Sequence, residues 1–353
     1  MSDSQTLIAE SIDRMLSDHV DAGVRERAEH GEWPVDLWAL VEGAGFADLL
    51  VPEAEDGSDW ADAGVILRAL GYHRAPLPLA ETMLARWLAR CCGLPDTKEP
   101  CTVLEQDGTD GLSLDWSAGT LRISGAARRV PWARTARWLL VSGSAGSQRA
   151  LGLVDLSSSG VALEPAAGVG GEPRDRISFE DCACADARPM PRDWMAQPIL
   201  VFGALSRAAQ MAGALRFLLE QSVRYAGERE QFGRPIGRFQ AIQQMLAVLA
   251  GEVVAAQTAV DHACRTVCLT GGRFDIAIAK IRTGQAAGVG AAIAHQVHGA
   301  MGFTYEHALH FATRRLWAWR AEYHSEAWWA AEIGREAMDR GGDALWPWIT
   351  SRH

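Results

Sequence analysis

The chain has 353 residues, 48% of them hydrophobic and 22% charged, with a formal net charge of −10. That is the composition of a globular protein of two or three domains, able to bury a core without disulfide staples. The acidic balance argues against the basic face of a nucleic-acid binder; no apolar run is long enough to span a bilayer and no secretory segment stands out, so the cytoplasm is the expected location.

In chain order, apolar residues first recur at helical spacing, from Thr6 to about Leu94, as in Ile8, Ile12, Met15 and Leu16. Trp33-Pro34 opens a further helix that Gly43 and Gly45 close, and Val65–Leu70 belongs to another that ends near Gly71. Between Cys101 and Ala187 the texture changes. Leu112–Leu114, Thr120–Ile123, Trp138–Val141 and Ala150–Val154 are short apolar runs separated by Gly, Ser and Asp clusters, which predicts a small β-barrel or sandwich. Ser142–Ser147 and Ser157–Gly160 read as hairpin loops.

The helical period then returns over longer stretches: Ile199–Ala226, Phe239–Leu269, Phe274–Met301 and a shorter pair within Tyr305–Arg340. Gly233-Arg234-Pro235, Gly271-Gly272 and Gly302 break them. Short links between long helices predict an up-down four-helix bundle. The expected class is therefore multi-domain α+β: an N-terminal helical domain over residues 1–98, a shortened middle β-domain over 99–192 and a C-terminal helical bundle over 193–353.

Several chemistries lack their signatures. None of the ten histidines follows a glutamate by three positions, so the di-iron pattern of helical bundles is missing and no metal is expected. There is no Gly-x-Ser-x-Gly elbow, no Gly-x-Gly-x-x-Gly turn and no phosphate loop. The seven cysteines, an odd count, read as reduced thiols.

Two segments stand out. Arg229-Glu230-Gln231-Phe232-Gly233-Arg234-Pro235-Ile236-Gly237-Arg238-Phe239-Gln240 links the first two long helices. It offers a fixed guanidinium for phosphate oxygens, a tight turn and two flat apolar rings. From the residues alone it is equally a helix–helix turn with core aromatics. Gln296-Val297-His298-Gly299-Ala300-Met301-Gly302-Phe303 closes the third long helix, with Gln296 and Gly299 on one face.

Together these segments resemble the acyl-CoA dehydrogenase family. The first is similar to its Arg-x-x-Phe-Gly-x-Pro-Ile-x-x-Phe-Gln motif at every defined position. The second resembles its Gln-x-x-Gly-Gly-x-Gly-Phe motif, with Ala300 replacing the second glycine. Gly45–Glu53 looks like the family's N-terminal signature, and Ala75–Glu81 fits the same domain.

The resemblance implies an FAD between subunits, hence a homo- or hetero-oligomer, dimer or tetramer. Arg229 and Phe232 would meet the FAD of one site with Gln240 near its adenine end, while Gln296, Gly299 and Gly302 would approach the cofactor of a neighbouring subunit. It also implies an acyl-CoA substrate, an electron-accepting flavoprotein as partner, and a glutamate that takes the α proton. Counting from Gly299 puts the base position at Tyr323, with Glu322 one residue earlier; Glu322 is the candidate base and Glu326 the reserve. The family's Glu-Gly-Thr is replaced by Glu322-Tyr323-His324-Ser325, and no carboxylate lies between Asp193 and Glu220 to serve from the first bundle helix. The β-domain stretch Thr-Glu-x-x-Ala-Gly-Ser-Asp is missing. Arg128, Arg129 and Arg134 read as strand decoration. Three functions stay open: an acyl-CoA dehydrogenase or one subunit of a heteromeric one, an oxygen-activating flavin enzyme, and a non-catalytic partner subunit.

Overall fold

Ser2 starts the first helix with a reciprocal cap: its hydroxyl accepts from the Gln5 N–H, and the Gln5 side chain accepts from the Ser2 N–H, both at 3.1 Å. The molecule is a computed structural model that describes residues 2–50, 60–106, 111–304 and 308–350. Among the described residues, five α-helices form the N-terminal region: α1 (Asp3–His19), α2 (Ala22–Glu29), α3 (Val35–Gly43), α4 (Trp60–His73) and α5 (Leu79–Cys91). Ile12 and Leu16 of α1 are fully buried, as the helical spacing predicts, while α5 is buried over most of its length. Within the N-terminal signature, Val51–Glu53 lie outside the described residues.

Among the described residues the middle region holds eight strands: β1 (Cys101–Glu105), β2 (Ser113–Ser117), β3 (Thr120–Pro131), β4 (Trp138–Ala145), β5 (Gln148–Asp155), β6 (Val161–Glu164), β7 (Arg174–Ala183) and β8 (Asp186–Pro189). They form two four-stranded sheets, ordered β1-β4-β5-β8 and β2-β3-β7-β6. Only the β1–β4 pair is parallel. Leu139 and Val141 of β4 join Leu121 and Ile123 of β3 and Ile177 and Phe179 of β7 in the core between the sheets. Leu140, Leu151 and Leu153, on the opposite face of the first sheet, join the helical core instead. That sheet is covered on both faces, which is why β4 and β5 read as continuous apolar runs. It also corrects one loop assignment: Ser142 sits fully buried inside β4, and the hairpin turns only at Gly146.

The bundle comprises α6 (Pro198–Glu228), α7 (Gln240–Thr266), α8 (Arg273–His298) and α9 (Leu309–Ala321), followed by α10 (Glu326–Arg340) and α11 (Gly342–Thr350). Leu215, Leu249, Ala286 and Leu316, one from each of the four bundle helices, share a core with Trp319. Helix α11 contains Pro347, a helix breaker that hides the element from pattern reading. Where α4 crosses α6, a Cβ on Gly71 would land on the Gln210 carbonyl, and one on Gly213 on the Arg68 carbonyl. The two backbones touch there, and only glycine permits it. By length and composition α6 is the one described helix apolar enough to cross a bilayer, against the expectation of none; its apolar window is wholly buried in the protein, so core packing accounts for it.

Candidate active site

The tip of the bundle is built by helix ends. Arg229 leaves α6 in an extended conformation, and the two-residue strands β9 (Glu230–Gln231) and β10 (Arg234–Pro235) close a hairpin around Phe232 and Gly233. Both turn residues take positive φ, +52° and +77°, as a tight hairpin turn demands. Phe232 is thereby thrust outward and is 91% exposed. Gln240 is the first residue of α7 and lies in solvent with Arg229.

Helix α8 ends against the same structure. Tyr225 stacks on His298 with ring centroids 4.5 Å apart, and Val297 packs in one cluster with Ala226 and Ile236. The two motif segments are thus neighbours at one end of a single chain. Gln296 and Gly299 are exposed; Gly299 has φ +58°, and a Cβ there would meet nothing within 4 Å. Gly302 differs from them. It is buried, and a Cβ would come 2.9 Å from Leu309 Cδ2 and 3.0 Å from His298 Cβ, so it serves the packing of α8 on α9. Phe303 is 72% exposed beside it. An exposed guanidinium, two bare aromatic rings and an open glycine backbone fit a long anionic dinucleotide.

Glu322 lies elsewhere, half-buried in the turn just past α9. Its Oε1 accepts from Arg174 Nε at 2.7 Å and its Oε2 from Arg207 Nε at 2.6 Å. Arg207 also pairs with Glu81 of α5, and Arg174 with Glu172 at 3.0 Å, whose carboxylate in turn accepts from the Trp319 indole at 2.8 Å. Burial alone would raise the Glu322 carboxyl; the two guanidiniums overcome it and hold the group down to about 2. The Glu326 carboxyl is likewise lowered by its bond from Arg320, at 2.8 Å from Nε.

Backbone geometry fixes this arrangement. Tyr323 and His324 both have positive φ, +51° and +64°, and Lys280 Nζ donates to the Trp319 and Arg320 carbonyls at 2.6 and 3.2 Å, tying down the end of α9. The reversal turns the Tyr323 ring inward against Gly203 of α6, where any Cβ would land on the ring. Burial raises the Tyr323 phenol above its usual value, so it keeps its proton at neutral pH. Glu81, Glu172, Arg174 and Arg207 went unrecognised in the sequence. The one signal was Arg207 itself, a charge in the middle of an apolar helix. Of the three arginines read as strand decoration, Arg128 and Arg129 stand exposed on β3, whereas Arg134 lies in the turn after it and bonds Asp175 at 3.0 Å.

Residues 2–99 match the family model of the acyl-CoA dehydrogenase N-terminal domain, and residues 194–321 match that of the acyl-CoA dehydrogenase C-terminal domain. The chain belongs to the acyl-CoA dehydrogenase family, oxidoreductases acting on CH–CH groups. Among its relatives, the acyl-CoA dehydrogenase IpdE2 of Mycobacterium tuberculosis is 27% identical over 322 residues, covering 89% of this chain and 91% of the relative. The fold matches the ChsE4-ChsE5 complex from Mycobacterium tuberculosis with a TM-score of 0.86 at 22% identity, over 97% of this chain and 99% of that one. It matches the Tcur3481-Tcur3483 steroid ACAD with a TM-score of 0.85 at 24% identity, over 94% and 97%. Structures of PigA with FAD and proline and of an electron transferring flavoprotein of Acidaminococcus fermentans share the fold as well. The family is typically FAD-dependent, and heteromeric complexes occur among its structures.

Proposed function

We propose that this chain is one subunit of a heteromeric, FAD-dependent acyl-CoA dehydrogenase, in which a related chain supplies the α-proton base and the acyl pocket. The observation that carries the reading is the filled interior around Glu322. A general base for α-proton removal needs a free carboxylate with a pKa near neutrality. Both Glu322 oxygens are engaged by guanidiniums and the group is held down to about 2, so Glu322 acts in this reading as an ion-pair anchor and not as the base. Tyr323, at the counted base position, carries a phenol that burial keeps protonated. Glu326 is tied to Arg320, and Gly203 leaves no acid on the facing helix. Arg207 and Glu81, each 2% exposed, and the Tyr323 ring occupy the space between α5, α6 and the end of α9.

The tip keeps what the interior lacks. When bound, FAD supplies the hydride acceptor for the β-hydrogen of the thioester. Arg229, Phe232, Gln240, Gln296 and Gly299 would hold it there as one surface. Arg229 would meet phosphate oxygens, the exposed rings would cover flat area, and the open Gly299 backbone would admit close approach. Gly302 would contribute only by setting the angle between α8 and α9. Two of the solved relatives are complexes named for two chains each, which supports a divided enzyme. Electrons would leave to a flavoprotein acceptor, and the seven free cysteines suit the cytoplasm.

The test is to purify the chain alone, and again co-expressed with a family member that has glutamate at the position of Tyr323. Both are then treated anaerobically with a panel of acyl-CoA thioesters that includes a steroid side-chain thioester. Only the two-chain complex should be yellow and bleach, and Glu322→Gln in this chain should leave bleaching intact. A lone chain that is yellow and bleaches, and loses bleaching with Glu322→Gln, sinks the reading.

A further inference from the structure

Among the described residues six arginines are more than nine-tenths buried: Arg25, Arg74, Arg86, Arg174, Arg207 and Arg315. Three of them are neutralised. Arg86 meets Glu42 at 2.7 Å and Asp48 at 2.9 Å, Arg174 meets Glu172 and Glu322, and Arg207 meets Glu81 and Glu322. Of the other three, two have no ion pair and the third only a long, shared one. Arg25 and Arg74 form no ion pair with any described residue. The carboxylate nearest Arg315 is Glu172, 3.9 Å from Nε and already bonded by Arg174 and Trp319.

These three come from α2, from the link after α4 and from α9, and they converge on four consecutive residues. Arg74 Nη1 donates to the Tyr72 carbonyl, Arg25 Nη1 to the His73 carbonyl at 3.4 Å, and Arg315 Nη1 to the Ala75 carbonyl at 3.3 Å. Arg25 Nη1 also reaches the Val20 carbonyl at 2.9 Å. The Nε atoms of all three are buried without a hydrogen-bond partner among the described residues. Aromatic faces soften the charge, with Arg74 3.6 Å above Phe217 and Arg25 5.7 Å from the Phe311 centroid. Carbonyl dipoles and ring faces do not cancel three full charges. Burial and the neighbouring Arg315 hold the Arg25 guanidinium down to about 10, and burial with both neighbours depresses Arg74 further.

Asp21 and Glu26 attract Arg25 without pairing with it, and the other nearby acids are turned to other partners. Asp13 takes His73 at 2.8 Å, Glu220 takes the Tyr72 hydroxyl at 2.5 Å, and Glu29 takes Arg314 at 2.9 Å. Unpaired buried charge is among the most destabilising features a protein can hold, and guanidinium forks with spare N–H groups match the oxygens of a tetrahedral anion. We infer that Arg25, Arg74 and Arg315 form an anion site enclosed by α2, the α4–α5 link and α9, which takes a phosphate-type oxyanion. It lies apart from the tip and adjoins the Glu322 network through Glu172, 3.9 Å from Arg315 Nε. Inorganic phosphate and the phosphate ester of a cofactor such as coenzyme A share this chemistry.

The full chain, dialysed free of phosphate and sulfate, is titrated with sodium phosphate while thermal unfolding is followed, with sodium chloride at matched ionic strength as control. A saturable rise of about 3 °C or more is expected with phosphate alone, and Arg74→Met should abolish it. Coenzyme A in a parallel titration identifies the source: a rise at lower concentration than phosphate assigns an ester, and none assigns the free ion. Equilibrium dialysis of radiolabelled phosphate against the wild-type chain does not depend on a folded variant, and about one ion per chain is expected. No saturable binding in dialysis, a rise matched by chloride, or undiminished phosphate binding by folded Arg74→Met overturns the site.

Discussion

At the tip of the bundle Phe232 and Phe303 stand 91% and 72% exposed, whereas at the end of α9 Arg207 is 2% exposed and locked between two carboxylates. Both regions carry segments aligned with the functional parts of one family, yet they have opposite physical characters. The tip adds almost nothing to folding and offers surface to something outside the chain. The ion-pair network ties the three regions together: Glu81 comes from the N-terminal helices, Arg174 and Glu172 from the β-region, Arg207 and Glu322 from the bundle. In the proposed reading, the fold keeps one half of a binding apparatus at the tip and uses the other half as structure.

The sharpest way to break the contrast is Arg207→Met. It strips a partner from both Glu81 and Glu322 in a buried setting, and should destabilise the chain by about 3–5 kcal/mol in denaturant unfolding. A loss under about 1 kcal/mol would mean that the interior is not held by this network.

A second comparison sets two buried carboxyls against each other. Glu105 accepts the Leu200 N–H at 3.2 Å, at the start of α6, and burial raises it to about 8 against the partial relief of its hydrogen bonds. Glu322 is held down to about 2. The unfolded carboxyl titrates near 4.3. The folded state therefore keeps the Glu105 proton while the unfolded state loses it, and this contribution falls as pH rises from about 4.3 to about 8. For Glu322 the sign is opposite: its contribution is full above about 4.3 and is lost as pH falls toward 2. Stability measured from pH 3 to 9 should flatten on the alkaline side in Glu105→Gln and on the acid side in Glu322→Gln. Identical profiles for the two variants would contradict both assignments.

The smallest effect on folding is expected at the tip. Phe232→Ala should change stability by less than about 0.5 kcal/mol, because the ring is almost fully solvated. In the two-chain complex it should nonetheless lower the FAD recovered per complex, read from the visible spectrum. Unchanged flavin content would remove Phe232 from the cofactor surface.

Periodicity located α6, α7 and α8 to within a few residues, because long apolar faces repeat with little interruption. The motif segments were legible for the same reason: each is a local string at a helix end. The Glu322 network was not. Its members lie far apart in sequence, with Arg174 and Glu322 separated by 148 positions and Glu81 and Arg207 by 126, and no local pattern announces an ion pair closed over that span. The joining of the two motif segments at one tip was hidden too, since it depends on Tyr225 stacking against His298 across two helices.

The fit of the Tyr323 ring onto Gly203 limits how this chain could change over generations. A carboxylate at 203 would collide with the ring, and a carboxylate at 323, in the turn after α9, would lie beside Arg207 and Glu322. Under the proposed reading, building an acid–base group here therefore takes two coordinated substitutions, one to clear the ring and one to place the carboxylate.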